Sequence, residues 1–373
     1  MKLSLKLVLL IFAFLSLIFI GIEWWQSHPK VNLPVPLGTF GFDDRMDSIL
    51  ITTLNQNQLA GLSVGLIIDS EIVYTGAAGF SNLETKDSLT SVTQIPTASV
   101  SKLFTALLVS SYFLENDIQP EDNISSHFPS IVKEFPQLED ITIASLLTHQ
   151  SGLSDKGYLG SWLGIKKPLR LENHIKNILS KRVNQETDSI ASYSDLNFEL
   201  LAFLLEQNSQ SSFEKLMNPF LQVELGMTQT YFKTPDQSDS LTTQGYQKTF
   251  LWKRLKNNPF VYEVLPDPAS GMISSTHDLL KALIQLSRGD LGYLQPHLEW
   301  LEQENSGLAG FQQVKLGNQT YWGHFGGQDG FSSLLLFDLE LGNGLVILSN
   351  TADKTDFRKQ LAEKLEPFLY QKP

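Results

Sequence analysis

Ser99 and Lys102 stand three residues apart, and the apolar positions after them, Leu103, Ala106, Leu107, Phe113 and Leu114, recur at helical spacing. That spacing places a hydroxyl and an amine on one face of a helix's first turn. A serine hydroxyl is a weak nucleophile at neutral pH unless a neighbour takes its proton, and a lysine becomes a base only where burial or another cation lowers its pKa. Free N–H groups at the start of such a helix can also hold a developing oxyanion. Ser-x-x-Lys arises by accident in a chain of 373 residues, so the chemistry depends on partners elsewhere.

Two further motifs offer them. Tyr193-Ser194-Asp195 opens another helix and presents a phenol and a carboxylate at a turn. A tyrosine among cations can relay a proton between nucleophile and leaving group. His324-Phe325-Gly326-Gly327 falls on a strand. Glycines there let a ligand approach the backbone, and the Gly327 N–H is a candidate oxyanion donor beside that of Ser99. Read singly, each motif has a plainer meaning: a tyrosine packing its ring, and a turn from Gly326 to Gly330. No helix and no Lys-Ser/Thr follow these glycines, which argues against a phosphate loop.

The elements that must position these groups read as follows. A helix is predicted from Asp43 to Leu54, then strands Leu62 to Ile68 and Glu71 to Gly76 joined at Asp69-Ser70. After the Ser99 helix the chain turns to helices and loops until Pro266, with short helices from Thr142 and from Asp195 to Glu206. Thr242 to Pro266 shows no clear period and reads as loop, its Lys253, Arg254 and Lys256 as a solvated face. Ser275 with Asp278 resembles a capping box before a helix to Leu286. Strands are predicted at Thr320 to His324, Phe331 to Phe337 and Leu345 to Ser349, the last two joined through Asn343-Gly344, and Phe357 to Phe368 forms a final amphipathic helix.

A hydrophobic content of 42% with 18% charged residues supports a large packed core. The net charge of −12 argues against a nucleic-acid partner. The absence of cysteine removes disulfides and thiolate chemistry, and the seven histidines form no metal motif. No metal and no cofactor are expected. At the N-terminus, Lys2 and Lys6 precede an uncharged run from Leu7 to Ile22, then Glu23, Trp24 and Trp25. Snorkelling lysines and interfacial tryptophans extend that run toward the roughly 20 residues that span a bilayer. Residues 1–25 are therefore read as a membrane anchor with the N-terminus cytoplasmic and the rest exported, facing the periplasm or cell exterior. A cleaved signal peptide is the competing reading, against which no small-x-small site follows the run. Pro29, Pro34 and Pro36 suggest an extended tether over 26–41.

Taken in order, Ala98-Ser99-Val100-Ser101-Lys102, Leu146-Leu147-Thr148-His149-Gln150-Ser151-Gly152-Leu153, Tyr193-Ser194-Asp195-Leu196, Pro268-Ala269-Ser270-Gly271-Met272 and Gly323-His324-Phe325-Gly326-Gly327 resemble the serine β-lactamase and penicillin-binding-protein superfamily, in its class C β-lactamase-like branch. The resemblance covers Asp43 to the C-terminus. It implies an α+β, β-lactamase/transpeptidase-like fold: an antiparallel sheet flanked by helices, formed by 42–98 and 267–373, beside an inserted all-helical domain, 99–266. It also implies that Ser99 is acylated, that Lys102 and Tyr193 share proton transfer, that the backbone of Ser99 and Gly327 forms the oxyanion hole, and that Asp195, His324 and Gly326 meet the substrate. Which of Lys102 and Tyr193 is the base stays open.

Two departures bear on substrate. Asp195 stands where many relatives have Asn; a carboxylate there favours the Lys102 ammonium and cannot donate to an acylamino carbonyl. His324-Phe325-Gly326 stands where class C β-lactamases have Lys-Thr-Gly, so recognition of a substrate carboxylate should be weaker and pH-dependent. The resulting expectation is an exported serine hydrolase acting on a D,D-peptide of peptidoglycan type or on a small ester or amide, with weak β-lactam turnover. The alternatives are a penicillin-recognising sensor or wall-binding protein that acylates without turnover, and a catalytically silent interaction domain. His149 is read as a structural hydrogen-bonding residue.

Overall fold

The computed structural model describes residues 5–27, 37–40, 44–154, 169–180, 193–234, 241–259, 262, 264–287, 299, 302–303, 307–308, 310–338 and 341–370. Helix α1 (Leu5–Trp25) holds the whole N-terminal apolar run, and its apolar side chains are exposed. It is long and apolar enough to cross a membrane. The prolines of the expected tether lie outside the described residues. At the two ends of that tether the chain is docked: Gln26 and Ser27 continue α1, and β1 (Leu37–Phe40) pairs antiparallel with residues 75–78.

Helix α2 (Asp44–Asn57) is followed by β2 (Gly61–Ile68) and β3 (Glu71–Asn82), as the periodicity predicts. Asp69 and Ser70 at their junction have φ of 50° and 60°, the backbone of a two-residue hairpin turn. The C-terminal half adds β6 (Gln312–Leu316), β7 (Gln319–Gln328), β8 (Phe331–Asp338) and β9 (Asn343–Ser349), completing an antiparallel sheet in the order β1-β3-β2-β9-β8-β7-β6. Alternation sorts its core into two layers. Leu334, Leu336, Leu345 and Ile347 pack under α2 and α7 (Phe357–Leu365), while Leu335, Phe337, Val346 and Leu348 face α6 (Thr276–Ser287) and a cluster running into the inserted helices. Because both faces are covered, every residue of β2 is buried.

Several expectations are corrected. Asn343-Gly344 is the start of β9, paired with Asp338 and Phe337, and the turn falls earlier, at Gly342 with φ +66°. The Asn343 amide instead accepts from Asp69 N–H and donates to the Leu369 carbonyl. Residues 246–257 are a hairpin, β4 (Tyr246–Lys248) with β5 (Leu255–Asn257), fixed to the sheet by Tyr246: its N–H donates to the Gly330 and Asn350 carbonyls and its hydroxyl accepts from Leu83 N–H. Arg254 is buried rather than solvated. Ser275 caps α6 by accepting from Asp278 N–H, but the Asp278 carboxylate turns away to Gln229 and Thr230, so only half of the capping box forms. Helix α3 (Ser101–Glu115) has no exposed side over residues 101–110; it runs buried through the core between the sheet side and the inserted helices α4 (Ile143–Leu147) and α5 (Asp195–Ser209).

Candidate active site

The position of Ser99 is set by a strained turn. A 3-10 turn at Ala98–Val100 leads directly into α3, and Ala98 sits at φ +49°, a left-handed conformation that costs a residue with a side chain on the order of 1–3 kcal/mol. Surrounding bonds hold it: Thr97 N–H and hydroxyl both donate to the Met272 carbonyl, and Ser101 Oγ donates to the Ala98 carbonyl while accepting from Met272 N–H. Thr97 and Ala98 are thereby buried while Ser99 keeps partial exposure.

In the first turn of α3, the Lys102 side chain is fully buried, and its ammonium has acceptors in Ser99 Oγ at 3.2 Å, Asp195 Oδ1 at 2.6 Å and the Ala269 carbonyl at 2.9 Å, with the Tyr193 hydroxyl a further partner. Burial pulls the lysine pKa down, but the Asp195 charge and Tyr193 outweigh it, so the net shift is upward and Lys102 is an ammonium at neutral pH. The Ala269 carbonyl comes from a turn built on Asp267, whose carboxylate accepts from Ala269 N–H, Ser270 N–H and Ser270 Oγ. Burial, with the charges of Glu199 and Asp195, pushes Asp267 up to about 7.

Tyr193, just before α5, brings its hydroxyl to Lys102, whose Nζ lies 5.0 Å from the tyrosine ring centroid. The ring rests on His149 at 4.4 Å between centroids. His149 Nδ1 accepts from Ser194 N–H at 3.2 Å and from the Asn197 amide at 3.1 Å, so the imidazole ties the Leu147–Leu153 turn to the start of α5. The structural role expected for His149 therefore has a specific content: it is the platform under the tyrosine.

Strand β7 forms the opposite wall. His324 is 2% exposed, packs its ring 6.0 Å from that of Tyr193, and points Nδ1 at the Phe325 carbonyl. Burial first, then the Lys102 charge, pulls its pKa down to about 3. The pH-dependent carboxylate recognition expected of His324 is thus displaced below the working range, because the ring stays neutral. Phe325 N–H turns away from β8 toward Gln312 Oε1, and the two-residue alternation puts the Gly327 N–H on the same outer edge, facing the Ser99 turn. Gly326 serves close packing rather than ligand access: a Cβ there would lie 2.2 Å from Ser333 Oγ and 2.3 Å from the Thr97 carbonyl.

Ser99, Lys102, Tyr193, Asp195 and His324 therefore converge, with the Gly327 N–H on the edge beside them. Sequence reasoning missed Arg358, which donates to the Gly326 and Ser333 carbonyls, pairs with Asp353 and lies over the Phe325 ring at 5.4 Å. No local signal links α7 to β7. The role of Ala269 was equally hidden, since a backbone acceptor leaves no mark on residue type.

A family model described as Beta-lactamase matches residues 42–366. Protein flp of Staphylococcus aureus strain N315 is 22% identical over 335 residues, 86% of this chain, and the chain spans 65% of that protein's length. In fold, the chain is similar to the D-amino acid amidase of Ochrobactrum anthropi SV3, with TM-score 0.73, 17% identity and coverage of 88% and 99% of the two chains. It is likewise similar to a class C β-lactamase of Rhodobacter sphaeroides, with TM-score 0.69, 16% identity and coverage of 88% and 100%.

Proposed function

Since this chain belongs to the β-lactamase family, we propose that it is a serine hydrolase whose Ser99 Oγ attacks a carbonyl and forms an acyl-enzyme. The observation that carries the reading is the full occupation of Lys102. An ammonium with three directed N–H bonds has no lone pair for the serine proton, so Lys102 donates to Ser99 Oγ and stabilises it as its charge develops. Tyr193, beside that ammonium, relays the proton: its oxygen accepts the hydrogen of Ser99 Oγ as its own hydrogen passes to the leaving group, and in the second step it relays a hydrogen from the attacking water back to Ser99 Oγ as the acyl chain is released. The N–H groups of Ser99 and Gly327 bind the oxyanion.

Substrate class follows from charge. Among the described residues beside the site, His324 is neutral, Lys102 is committed to Asp195, and Arg358 is committed to Asp353 and two carbonyls. A substrate carboxylate gains little here, while the half-exposed Asp195 suits an acyl group carrying an amine. A small ester or amide is accordingly the favoured substrate over a D,D-peptide, and β-lactam turnover is weak. The D-amino acid amidase likeness agrees with this direction. With α1 spanning the membrane and its basic end cytoplasmic, the catalytic part faces the exterior.

A fluorescent fluorophosphonate should label the wild type and leave Ser99→Ala unlabelled, and Lys102→Ala and Tyr193→Phe should each acylate on the order of 10²-fold more slowly. A panel of p-nitrophenyl esters, D-amino acid amides, a D-Ala-D-Ala tripeptide and nitrocefin then ranks substrates. A nitrocefin acyl-enzyme that persists, with no turnover of any member of the panel, would establish a sensor instead, and nitrocefin hydrolysis at the rate of a dedicated β-lactamase would overturn the substrate assignment.

A further inference from the structure

The end of α1 is built into the folded domain. Glu23, 6% exposed, accepts from two adjacent N–H groups at the tip of the β4–β5 hairpin, Phe250 at 2.6 Å and Leu251 at 2.9 Å. Arg254 reaches back to the Ser27 carbonyl at 3.0 Å and lies over the Trp24 ring at 4.2 Å, while Trp24 meets Trp252 edge to face at 5.2 Å. Ser27 and Lys256 form a β-bridge. Removing α1 would leave the two tip N–H groups without their carboxylate and the buried Arg254 without its stacking partner.

The tip itself carries Phe250, Leu251 and Trp252, exposed by 72%, 46% and 39%. A run of three large apolar side chains facing water is unusual on a soluble surface. Its position explains it: Glu23 lies two residues from the end of α1, about 3 Å along the helix axis, so the tip sits at the level where α1 leaves the bilayer. Aromatic residues concentrate at that level, and Lys253 and Lys256 add positive charge suited to anionic headgroups.

We propose that the hairpin tip is a second membrane contact, inserted into the interfacial layer of the bilayer that α1 spans, so that α1 is retained and the catalytic domain is seated on the membrane instead of hanging from a tether. The proposal rests on the reading of α1 as membrane-spanning, and the test separates the two. The chain has no cysteine, so single cysteines carrying an environment-sensitive dye can be placed at Phe250, Leu251, mid-α1 Leu15 and Glu115 at the far end of α3. The full-length protein is reconstituted into phosphatidylcholine and phosphatidylglycerol vesicles containing lipids spin-labelled near the headgroup or deep in the chain. Dyes at 250 and 251 should be quenched several-fold by the shallow label, the dye at 15 by the deep one, and the dye at 115 by neither. If 250 and 251 behave like 115 while 15 is quenched, the tip contact is wrong and the membrane span stands. If 15 also escapes quenching, both readings fail. Dyes at 250 and 251 that are shielded from an aqueous quencher yet unquenched by either lipid would place a second protein copy there and overturn the proposal.

Discussion

Asp195 decides what Lys102 can do. Its carboxylate is the nearest acceptor of the ammonium, and with it burial loses the contest over the lysine pKa. Asp195→Asn removes the charge, so burial then prevails and the lysine pKa falls. If the ammonium is the working form, the alkaline limb of kcat/KM should move to lower pH by a unit or more, and the rate at pH 8 should drop. A lysine acting as base would respond in the opposite sense, with faster acylation at pH 7 to 8. A pH profile of p-nitrophenyl ester hydrolysis for the two proteins separates these outcomes. That Ser99, Lys102 and Tyr193 come together was legible because each sits in a short motif of recognisable residue types. What surrounds them was not, because the Ala269 carbonyl and the His149 ring act through where the chain folds back, and residue type records neither.

The elements add a constraint of distance: β7 and the Ser99 turn touch through backbone, with Gly326 wedged between Thr97 and Ser333. Gly327, one residue on, is open, its nearest side-chain neighbour being the Arg358 guanidinium at 3.9 Å. Gly326→Ala should therefore force the strand off the turn, costing roughly 1–3 kcal/mol of stability, the usual penalty for overpacking, and lowering acylation at least 10²-fold, whereas Gly327→Ala should keep wild-type stability. Thermal melts and fluorophosphonate labelling of the two variants measure this; equal destabilisation would show that the close approach is not as described. The glycine pair was visible in the sequence, but its division of labour needed the partner element. The β4–β5 hairpin was missed for a related reason. Its strands have three residues each, too few for alternation to register, and its anchor is one inward tyrosine bonded to residues far along the chain. Strands β2, β3, β7, β8 and β9 of the main sheet, by contrast, are apolar runs bounded by turn residues and were readable, whereas the shorter β1 and β6 were not.

Across the whole molecule, folding changes the proton affinity of several titratable groups, some at the site and some remote from it. Burial, with neighbouring carboxylates, raises Asp267 and Glu206 to about 7, against resistance from the N–H groups bonded to them, and burial with the Lys102 charge lowers His324 to about 3. The sign follows from counting protons. Between about pH 4.5 and 6.5 the native state holds two protons, on Asp267 and Glu206, that the unfolded chain has released, and refuses one, on His324, that the unfolded chain binds. The native state is then ahead by one proton, so stability falls as pH rises; near pH 7 Asp267 and Glu206 are each about half protonated while the unfolded histidine has lost most of its proton, so the lead stays just under one and the fall continues, and above about pH 8 these groups contribute no further slope. On the acid side, Asp122 and Asp353 are held below the ordinary carboxylate range, Asp122 by the Gln119 N–H, Asp353 by the Thr355 N–H and Arg358 despite its burial, so stability is also lost as pH drops through their native pKa values. Maximum stability should therefore lie near pH 4 to 4.5, and denaturant midpoints of the full-length protein in detergent between pH 3 and 9 test this. Asp267 gives the sharper version because its turn presents Ala269 to Lys102. Asp267→Asn removes one titration while keeping an acceptor for the Ala269 and Ser270 N–H groups, so its stability relative to wild type should improve as pH rises from 5 to 8. A difference between the two proteins that stays constant over that range would mean that Asp267 is ionised in the native state and that its three donors, not burial, set its charge.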